Sequence, residues 1–249
     1  MKRYGLVGYP LEHSFSKNFF TDKFGKMGIS NSHVYELFEM EFLKDFPSLW
    51  SRYSDLEGIN ITVPHKLNIK EFLDFRDYSA IKVEAVNVVK RKGTKLTGYN
   101  TDYPAFKESL ENWLGDDRPD ALVLGAGGAS RAVQAALDDL GIAYEIVSRR
   151  KDNADMLYTQ LFKDESIMQE NELIINTTPV GMFPRVKDGP PIPYELLGSH
   201  HRVYDLIYNP EKTLLMEEAE KAGGQTKNGH EMLVLQAEKA WEIWNDPDK

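Results

Sequence analysis

The stretch that decides the fold class is A-L-V-L-G-A-G-G-A-S-R-A-V-Q-A-A-L-D-D-L-G-I-A-Y-E-I-V-S, residues 121–148. A short apolar run is followed by a glycine-rich turn, by an amphipathic segment that ends at Gly141, and by a second apolar run. This order predicts a strand, a helix and a second strand, joined as a parallel βαβ unit. Strand and helix patterns alternate along most of the chain, which predicts an α/β protein whose parallel sheets are covered by helices.

The turn between the first predicted strand and the helix consists of small residues. They are Gly125, Ala126, Gly127, Gly128, Ala129 and Ser130. Gly125 suits a sharp turn, Gly127 lets the backbone approach a pyrophosphate, and the small Ser130 permits close packing of helix on strand. The N-terminus of the helix offers N–H groups and a positive dipole end to phosphate. Because Ser130 replaces the last glycine of G-x-G-x-x-G, a turn without a ligand remains the alternative.

The residues after the second predicted strand indicate which dinucleotide would bind. The strand ends at Ser148, and Arg149, Arg150 and Lys151 follow before the first acidic residue, Asp152. An Asp or Glu at the strand end binds the ribose 2′-hydroxyl of NAD, whereas guanidinium groups suit the 2′-phosphate of NADP. We therefore predict NADP, with a solvated basic turn or an NAD site served by Asp152 as the alternatives.

A second informative stretch is G-I-N-I-T-V-P-H-K, residues 58–66. Apolar residues at alternate positions predict a strand over 58–63 with one buried face, and the following proline ends it. Asn60 and Thr62 then share the opposite face, with Lys66 just beyond the strand. An amide, a hydroxyl and an amine at one strand end suit a polyol with an ionisable group at hand. The alternative is an edge strand followed by a solvated lysine.

Further polar groups precede two predicted helices. Ser14 and Ser16 lie before a helix expected from Ser16 to Met27, with Ser16 as N-cap, and such a helix start suits a carboxylate. Asn87 begins one strand of a hairpin predicted over 84–99, and Asp102 follows the other. Capping of the adjacent helices is the alternative explanation for these residues.

Composition limits the class of protein. The 249 residues include no cysteine and carry a net charge of −9, which argues against a disulfide framework and a generic nucleic-acid surface and favours a cytoplasmic protein. No run approaches the roughly 20 apolar residues of a membrane span, and residues 1–8 do not resemble a signal peptide. His13, His200 and His201 predict no metal site, because adjacent histidines on a loop are commonly solvated and no third ligand is evident.

The chain resembles the shikimate dehydrogenase family over essentially its whole length, in eight motifs that occur in order. They are G-x-P-x-x-H-S-x-S (8–16), G-x-N-x-T-x-P-x-K (58–66), A-V-N (85–87), N-T-D (100–102), G-A-G-G-A (125–129), N-T-T-P-V-G-M (176–182), D-L-I-Y-N-P-E-K-T (205–213) and N-G-x-x-M-L-x-x-Q (228–236).

This resemblance implies an NADP-dependent oxidoreductase that reversibly reduces 3-dehydroshikimate to shikimate in chorismate and aromatic amino-acid biosynthesis. It also implies two α/β domains with an interdomain active-site cleft. The substrate domain would cover residues 1–103, and a C-terminal helix at 230–249 would pack back on it. A Rossmann-like NADP domain would cover residues 104–229. The expected binding partner is a small-molecule substrate, and neither nucleic acid nor a membrane is expected. The protein is expected to be a monomer or a homodimer.

The resemblance also assigns roles to individual residues. Lys66 and Asp102 would be the catalytic pair. The substrate would contact Ser14, Ser16, Asn60, Thr62, Asn87, Tyr208 and Gln236. The cofactor would contact residues 125–130, Ser148, Arg149, Arg150, Thr177, Met182 and Gly229.

Two segments depart from the family pattern. Tyr103-Pro104-Ala105 replaces a glycine-containing run, and the stretch from Leu161 to Leu173 is short, so an element of the cofactor domain is expected to be trimmed or missing.

Two other functions stay open: a quinate/shikimate dehydrogenase that uses NAD, and a non-catalytic sensor of nucleotide or metabolite. A folate-type dehydrogenase is disfavoured, since paired serines and Tyr208 suit a small carboxylate.

Overall fold

The computed structural model of the protein describes residues 1–11 and 14–249, which divide into two compact units. Unit 1 comprises Met1–Pro104 with Gln236–Lys249, and unit 2 comprises Ala105–Leu235. Each unit holds one six-stranded sheet with helices, so the predicted pair of α/β domains is confirmed. In the described part of the chain, no helix has the length and hydropathy needed to span a membrane.

The strands of the described residues are numbered in chain order. They are β1 (Lys2–Gly8), β2 (His33–Glu39), β3 (Leu56–Ile61), β4 (Phe75–Arg76), β5 (Val88–Lys92), β6 (Lys95–Tyr99), β7 (Ala121–Leu124), β8 (Tyr144–Ser148), β9 (Met156–Leu157), β10 (Leu173–Asn176), β11 (Arg202–Asp205) and β12 (Gln225–Asn228).

The α-helices of the same residues are also numbered in chain order. They are α1 (Phe15–Lys26), α2 (Phe46–Arg52), α3 (Tyr78–Val83), α4 (Asp102–Leu114), α5 (Gly128–Leu140), α6 (Tyr158–Leu161), α7 (Ser166–Glu170), α8 (Leu214–Lys221) and α9 (His230–Asn245). Short 3₁₀ helices occupy Leu43–Asp45, Ile69–Phe72 and Tyr194–Leu196.

The sheet of unit 1 brings several loop ends to one edge. Its order is β2-β1-β3-β5-β6-β4. β1 and β3 are parallel and end together, with Val7 opposite Ile61, whereas β5 runs antiparallel to β3 and begins beside Asn60. β5 and β6 form the predicted hairpin, so the end of β6 at Tyr99 faces the start of β5 at Val88. Residues that follow β3 and β6, or precede β5, therefore lie close together.

The predicted strand at 58–63 is shifted in the structure. β3 covers Leu56–Ile61, and Val63, which the alternation placed on a buried face, is exposed. Hydrogen bonds from Thr62 N to the carbonyl of Val7 and from Tyr9 N to the carbonyl of Val63 extend beyond β3, and Pro64, which has no N–H to donate, follows them. Ile59 and Ile61 are buried as predicted, but Asn60 on the opposite face is buried too, so the prediction of one buried face was wrong.

Helix α9 packs its aromatic end on this sheet. Trp244 donates from Nε1 to the carbonyl of Val89 at 3.1 Å. A Cβ at Gly58 would overlap the Trp244 ring, so the close approach of the indole to β3 requires glycine there. Lys90 is buried and donates to the carbonyl of Ile243 at 2.8 Å and to that of Asp246, which satisfies carbonyls at the end of α9. These contacts anchor the C-terminus of the chain in unit 1.

Unit 2 has the strand order β12-β11-β10-β7-β8-β9, and every pairing is parallel. Counted from β7, this is the 3-2-1-4-5-6 order of the doubly wound dinucleotide-binding fold. The order reverses between β7 and β10, which is the place where such sheets bind ligands. All six strands of the cofactor unit, which was expected to have an element trimmed or missing, are present. Its helices α6 and α7 contain only 4 and 5 residues.

Candidate active site

The central feature of unit 1 is an ion pair between Lys66 and Asp102. Lys66 Nζ lies 2.7 Å from Asp102 Oδ2, and the two side chains are 28% and 13% exposed. Lys66 follows β3, where its carbonyl accepts a hydrogen bond from Val86 N at 2.9 Å. Asp102 is the first residue of α4. The loop after β3 and the start of α4 thus place an ammonium and a carboxylate together, still accessible to a small molecule.

Asn87 fixes the second oxygen of that carboxylate. Its Nδ2 donates to Asp102 Oδ1 at 2.9 Å and to Thr101 Oγ1 at 2.9 Å, while its Oδ1 accepts from Thr101 N at 2.7 Å. Both amide hydrogens of Asn87 are therefore used inside the protein. Towards a ligand, the predicted substrate residue Asn87 has only the second lone pair of its oxygen left, and its main contacts orient Asp102.

Asn60 lies next to this group and is buried. Its Oδ1 accepts a hydrogen bond from the Tyr35 hydroxyl at 2.7 Å, and its Nδ2 donates to the carbonyl of Asn87 at 3.4 Å. Thr62 is half-buried, with its methyl group packed where Gly8 has no side chain. The amide and hydroxyl that the sequence placed on one strand face thus accompany the Lys66–Asp102 pair.

The two serines have different local roles from those predicted. Ser14, not Ser16, is the N-cap of α1, because the helix begins at Phe15 and Ser14 Oγ accepts from Lys17 N at 3.3 Å. Ser16 lies inside the first turn, with its side chain near the Tyr35 hydroxyl. The cap prediction for Ser16 was wrong by one half-turn of helix. Glu12 and His13 of the same motif lie outside the described residues.

A chain of hydrogen bonds therefore connects the predicted residues of unit 1. It runs from Tyr35 to Asn60, Asn87, Asp102 and Lys66, and Ser16 lies near its Tyr35 end. Gln236 of α9 is buried in the same unit. The sequence analysis missed Tyr35, since a tyrosine inside an aromatic-rich strand carries no motif of its own.

In unit 2, the glycine-rich turn lies directly after β7, at the point where the strand order reverses. Gly125 has φ +108°, and an added Cβ would lie 2.7 Å from Thr177 Oγ1, so both backbone and space require glycine. Gly127 is the N-cap of α5. A Cβ added at Gly127 or Gly128 would meet none of the described atoms within 4 Å, which leaves the helix N-terminus open to a phosphate group.

Ser130 has a packing role. It is fully buried, and its Oγ accepts a hydrogen bond from Gln134 Nε2 at 2.9 Å. This agrees with the expectation that a small residue permits α5 to approach the sheet. The pyrophosphate contacts for residues 125–130 stay a prediction, and the hydroxyl oxygen of Ser130 already accepts one hydrogen bond inside the helix.

The basic residues follow β8, the next strand in the chain after β7. Gly125 N donates to the carbonyl of Val147 at 2.8 Å, which places the turn beside the end of β8. Ser148 is half-buried and accepts from Arg150 N at 3.4 Å, while the side chains of Arg149 and Arg150 are exposed. Asp152 is exposed within the turn that follows. Two guanidinium groups therefore come before any carboxylate at this strand end.

The residues predicted for the nicotinamide pocket follow β10 and β12. Thr177 donates from Oγ1 to the carbonyl of Leu124 at 2.7 Å, which fixes the end of β10 against the end of β7. Met182 is exposed in the loop after β10. The N–H of Gly229 is already used, because it donates to the carbonyl of Ile207 at 3.1 Å. The carbonyl oxygen of Gly229 already accepts a hydrogen bond from Leu233 N. Only the second lone pair of this oxygen remains for the predicted backbone contact.

A buried carboxylate that the sequence analysis overlooked organises these loops. Asp205 Oδ1 accepts from Asn176 Nδ2 and from Ile207 N, both at 3.0 Å, and Oδ2 accepts from Thr213 Oγ1 at 2.7 Å. Burial raises the pKa of Asp205 to about 6. Tyr208, three residues further on, is one-third exposed, and burial raises the pKa of its phenol. Asp205 thus ties the loop that carries Tyr208 to the loop that carries Thr177.

Neither His200 nor His201 belongs to a metal site among the described residues. His201 is fully buried, accepts from Gly198 N at 2.9 Å and bonds through Nε2 to the carbonyl of Met168 at 2.8 Å. Burial lowers its pKa. The expectation of a solvated histidine was therefore wrong for His201, and His13 lies outside the described residues. Within residues 1–11 and 14–249, no three His, Cys, Asp or Glu side chains are grouped as a metal site.

Together, these features define a class of protein: a two-domain α/β protein with a dinucleotide-binding unit and a separate unit built around a lysine–aspartate pair. A family model described as the shikimate dehydrogenase substrate binding domain matches residues 6–89. The chain belongs to the shikimate dehydrogenase family.

Individual relatives cover almost the whole chain. The NADP(+) shikimate dehydrogenase of Caldicellulosiruptor saccharolyticus is 39% identical over 262 residues, covering 99% of this chain and 93% of that protein. The enzyme of the same name from Methanosphaera stadtmanae is 35% identical over 255 residues, covering 96% and 90%. The crystal structure of Thermus thermophilus shikimate 5-dehydrogenase with NADP(H) and shikimate superposes with a TM-score of 0.86 at 30% identity, covering 98% and 94%.

Proposed function

We propose that the protein catalyses the reversible, NADP-dependent reduction of 3-dehydroshikimate to shikimate. The observation that carries the proposal is the Lys66–Asp102 pair at 2.7 Å, held beside Asn60 and Asn87 in a chain that matches NADP(+) shikimate dehydrogenases over nearly its whole length. A sensor of metabolites has no need of a half-buried ammonium–carboxylate pair that stays accessible. The reaction belongs to chorismate and aromatic amino-acid biosynthesis.

The catalytic pair acts on the oxygen of the reacting carbon. Bound NADPH supplies the hydride to the ketone. As the ketone is reduced, negative charge develops on its oxygen, and the Lys66 ammonium stabilises that charge by donating a hydrogen bond or a proton. Asp102 holds the ammonium in place through Oδ2, and its other oxygen is oriented by Asn87. In the oxidation of shikimate, the same pair receives the hydroxyl proton.

The polar groups of unit 1 suit a ring that carries hydroxyls and a carboxylate. We assign the carboxylate to the hydroxyls of Ser14 and Ser16 at the start of α1, where the positive helix end favours an anion. The ring hydroxyls are assigned to Asn60, Thr62, Asn87 and Gln236. Tyr208 of unit 2 is assigned to the same carboxylate.

The residues of unit 2 fit an NADP molecule. The open N-terminus of α5, with glycines at 127 and 128, accommodates a pyrophosphate, because a side chain at either position would fill that space. Arg149 and Arg150, exposed after β8, provide guanidinium groups for the 2′-phosphate. Thr177, Met182 and Gly229 are assigned to the nicotinamide end.

The direct test is the initial rate of oxidation of shikimate and of quinate, each with NADP⁺ and with NAD⁺, followed by absorbance of the reduced nicotinamide. The proposal expects the largest kcat/KM for shikimate with NADP⁺. A larger value for quinate or with NAD⁺ would favour the broader dehydrogenase and make Asp152 the ribose ligand. The Lys66→Ala variant, assayed alongside, excludes a contaminating dehydrogenase as the source of activity.

Binding of NADP⁺ without turnover of any substrate pair would favour the sensor. We also propose a cytoplasmic location, consistent with a chain of net charge −9, and a monomer or homodimer. Cell fractionation and light scattering test these two points. The substrate and cofactor are the partners that the residues support.

A further inference from the structure

The phenol of Tyr35 lies at the junction between two parts of the proposed substrate site. Tyr35 is 3% exposed, and its hydroxyl lies 2.7 Å from Asn60 Oδ1. The side chain of Ser16 lies near the same hydroxyl. Ser16 is assigned to the substrate carboxylate and Asn60 to a ring hydroxyl, so one buried phenol neighbours residues for two different substrate groups.

Counting hydrogens fixes the direction of the bond between Tyr35 and Asn60. The phenol has one hydrogen, which it donates to Asn60 Oδ1, an atom that can only accept. Burial raises the pKa of the Tyr35 phenol, so the hydroxyl stays protonated throughout the neutral range. The phenol therefore remains the donor to Asn60 across that range.

The bond from Tyr35 determines how Asn60 is oriented. With Oδ1 held by the phenol, Nδ2 points to the other side, where one hydrogen goes to the carbonyl of Asn87 at 3.4 Å. The second hydrogen of Nδ2 is left for a ligand oxygen. Without the phenol, the buried amide could rotate by a half-turn and exchange donor for acceptor, since the two ends have nearly the same shape.

We propose that Tyr35 is a positioning residue for substrate: its hydroxyl fixes the donor end of Asn60 towards a ring hydroxyl. This inference rests on the proposed function, because it concerns the same site. Tyr35 does not contact the reacting atoms, so its effect falls on substrate affinity and leaves the Lys66–Asp102 pair in place.

The ring of Tyr35 is held independently of its hydroxyl. It stacks on Phe20 with centroids 4.6 Å apart and planes at 13°, and it also contacts Trp244 at 6.4 Å. Tyr35→Phe therefore removes the hydroxyl and keeps the packing. Tyr4 offers a matched control in the same core, because it is fully buried and its hydroxyl has no hydrogen-bond partner among the described residues.

The test compares steady-state kinetics of the wild type, Tyr35→Phe and Tyr4→Phe. We expect Tyr35→Phe to raise the KM for shikimate about 10-fold, as for loss of one oriented hydrogen bond, with kcat changed less than about 3-fold. The KM for NADP⁺ and the pH profile stay as in the wild type. Tyr4→Phe leaves every constant within about 2-fold of the wild type.

A double-mutant cycle with Asn60→Ala separates positioning from general stability. In the Asn60→Ala background, Tyr35→Phe is expected to have no further effect on the KM for shikimate, because the amide that it orients is gone. Equal losses in both backgrounds, or a Tyr35→Phe variant as active as Tyr4→Phe, overturn the inference while leaving the proposed function intact. A wild type that does not oxidise shikimate overturns both.

Discussion

Removal of the Lys66 side chain is the perturbation whose effect follows most directly from the geometry. Lys66→Ala deletes the only cation that contacts Asp102 among the described residues, at a Nζ–Oδ2 distance of 2.7 Å. Asn87 still donates to the other oxygen of Asp102. The carboxylate therefore keeps its orientation, while the group that stabilises the developing oxyanion is lost.

The magnitude follows from what such donors contribute in transition states. Loss of one preorganised donor to an oxyanion costs about 10²- to 10³-fold in kcat. The Lys66 side chain is 28% exposed, so solvent screens part of the ammonium charge. We therefore expect kcat to fall about 100-fold, the lower end of that range. Because the substrate still has the amides and hydroxyls of unit 1, its KM should change less than about 5-fold.

The assay is the initial rate of shikimate oxidation with NADP⁺, with kcat and KM determined separately. Lys70→Ala is the matched control, since Lys70 is an exposed lysine of the 3₁₀ helix that follows the same loop. Circular dichroism checks that both variants fold. A Lys66→Ala enzyme with near-normal kcat and a raised KM would refute the catalytic role and make Lys66 a binding residue.

Three further predictions concern unit 2. Arg149→Ser should raise the KM for NADP⁺ about 10- to 100-fold while leaving that for NAD⁺ nearly unchanged, as steady-state assays with both nucleotides would measure. Gly125→Ala should lower the thermal unfolding midpoint and weaken NADP⁺ binding measured by calorimetry, because φ is +108° and the new Cβ would lie 2.7 Å from Thr177 Oγ1. Asp205 has its pKa raised from 3.8 to about 6 chiefly by burial, so the folded state holds the proton more tightly than the unfolded chain. Its contribution to the free energy of unfolding should fall by about 3 kcal/mol as the pH rises through this interval, and Asp205→Asn should abolish that fall in pH-dependent thermal melts.

The order of elements could be predicted because the sequence patterns are local, whereas the division into two α/β domains followed from the resemblance to a known family. The βαβ unit at 121–148, the hairpin and the glycine-rich turn each follow from periodicity and from residues with special backbone requirements. Strand ends were harder: the alternation at 58–63 includes Val63, but β3 ends at Ile61 and Val63 is exposed. Hydrophobic patterns record what can be buried, whereas hydrogen-bond partners decide where a strand stops.

The individual site residues could be named, but their partners could not. Lys66 and Asp102 are 36 residues apart, and only the sheet edge of unit 1 brings them to 2.7 Å. Asn87 was expected to bind substrate, yet its amide hydrogens serve Asp102 and Thr101. Tyr35 received no role because a buried tyrosine looks in sequence like any other residue of a strand. Asp205 begins the D-L-I-Y-N-P-E-K-T motif, but no role could be assigned to it without its hydrogen-bond partners. Long-range hydrogen bonds of this kind depend on packing that no local pattern encodes.

The account is tested most directly by the reaction in the reductive direction. Purified protein is incubated with 3-dehydroshikimate and a limiting amount of NADPH, and the product is identified by chromatography and mass spectrometry. The account predicts that one molecule of shikimate appears for each molecule of NADPH oxidised, and that Lys66→Ala slows this reaction about 100-fold. Tight binding of NADPH without its oxidation, or a product other than shikimate, would contradict it.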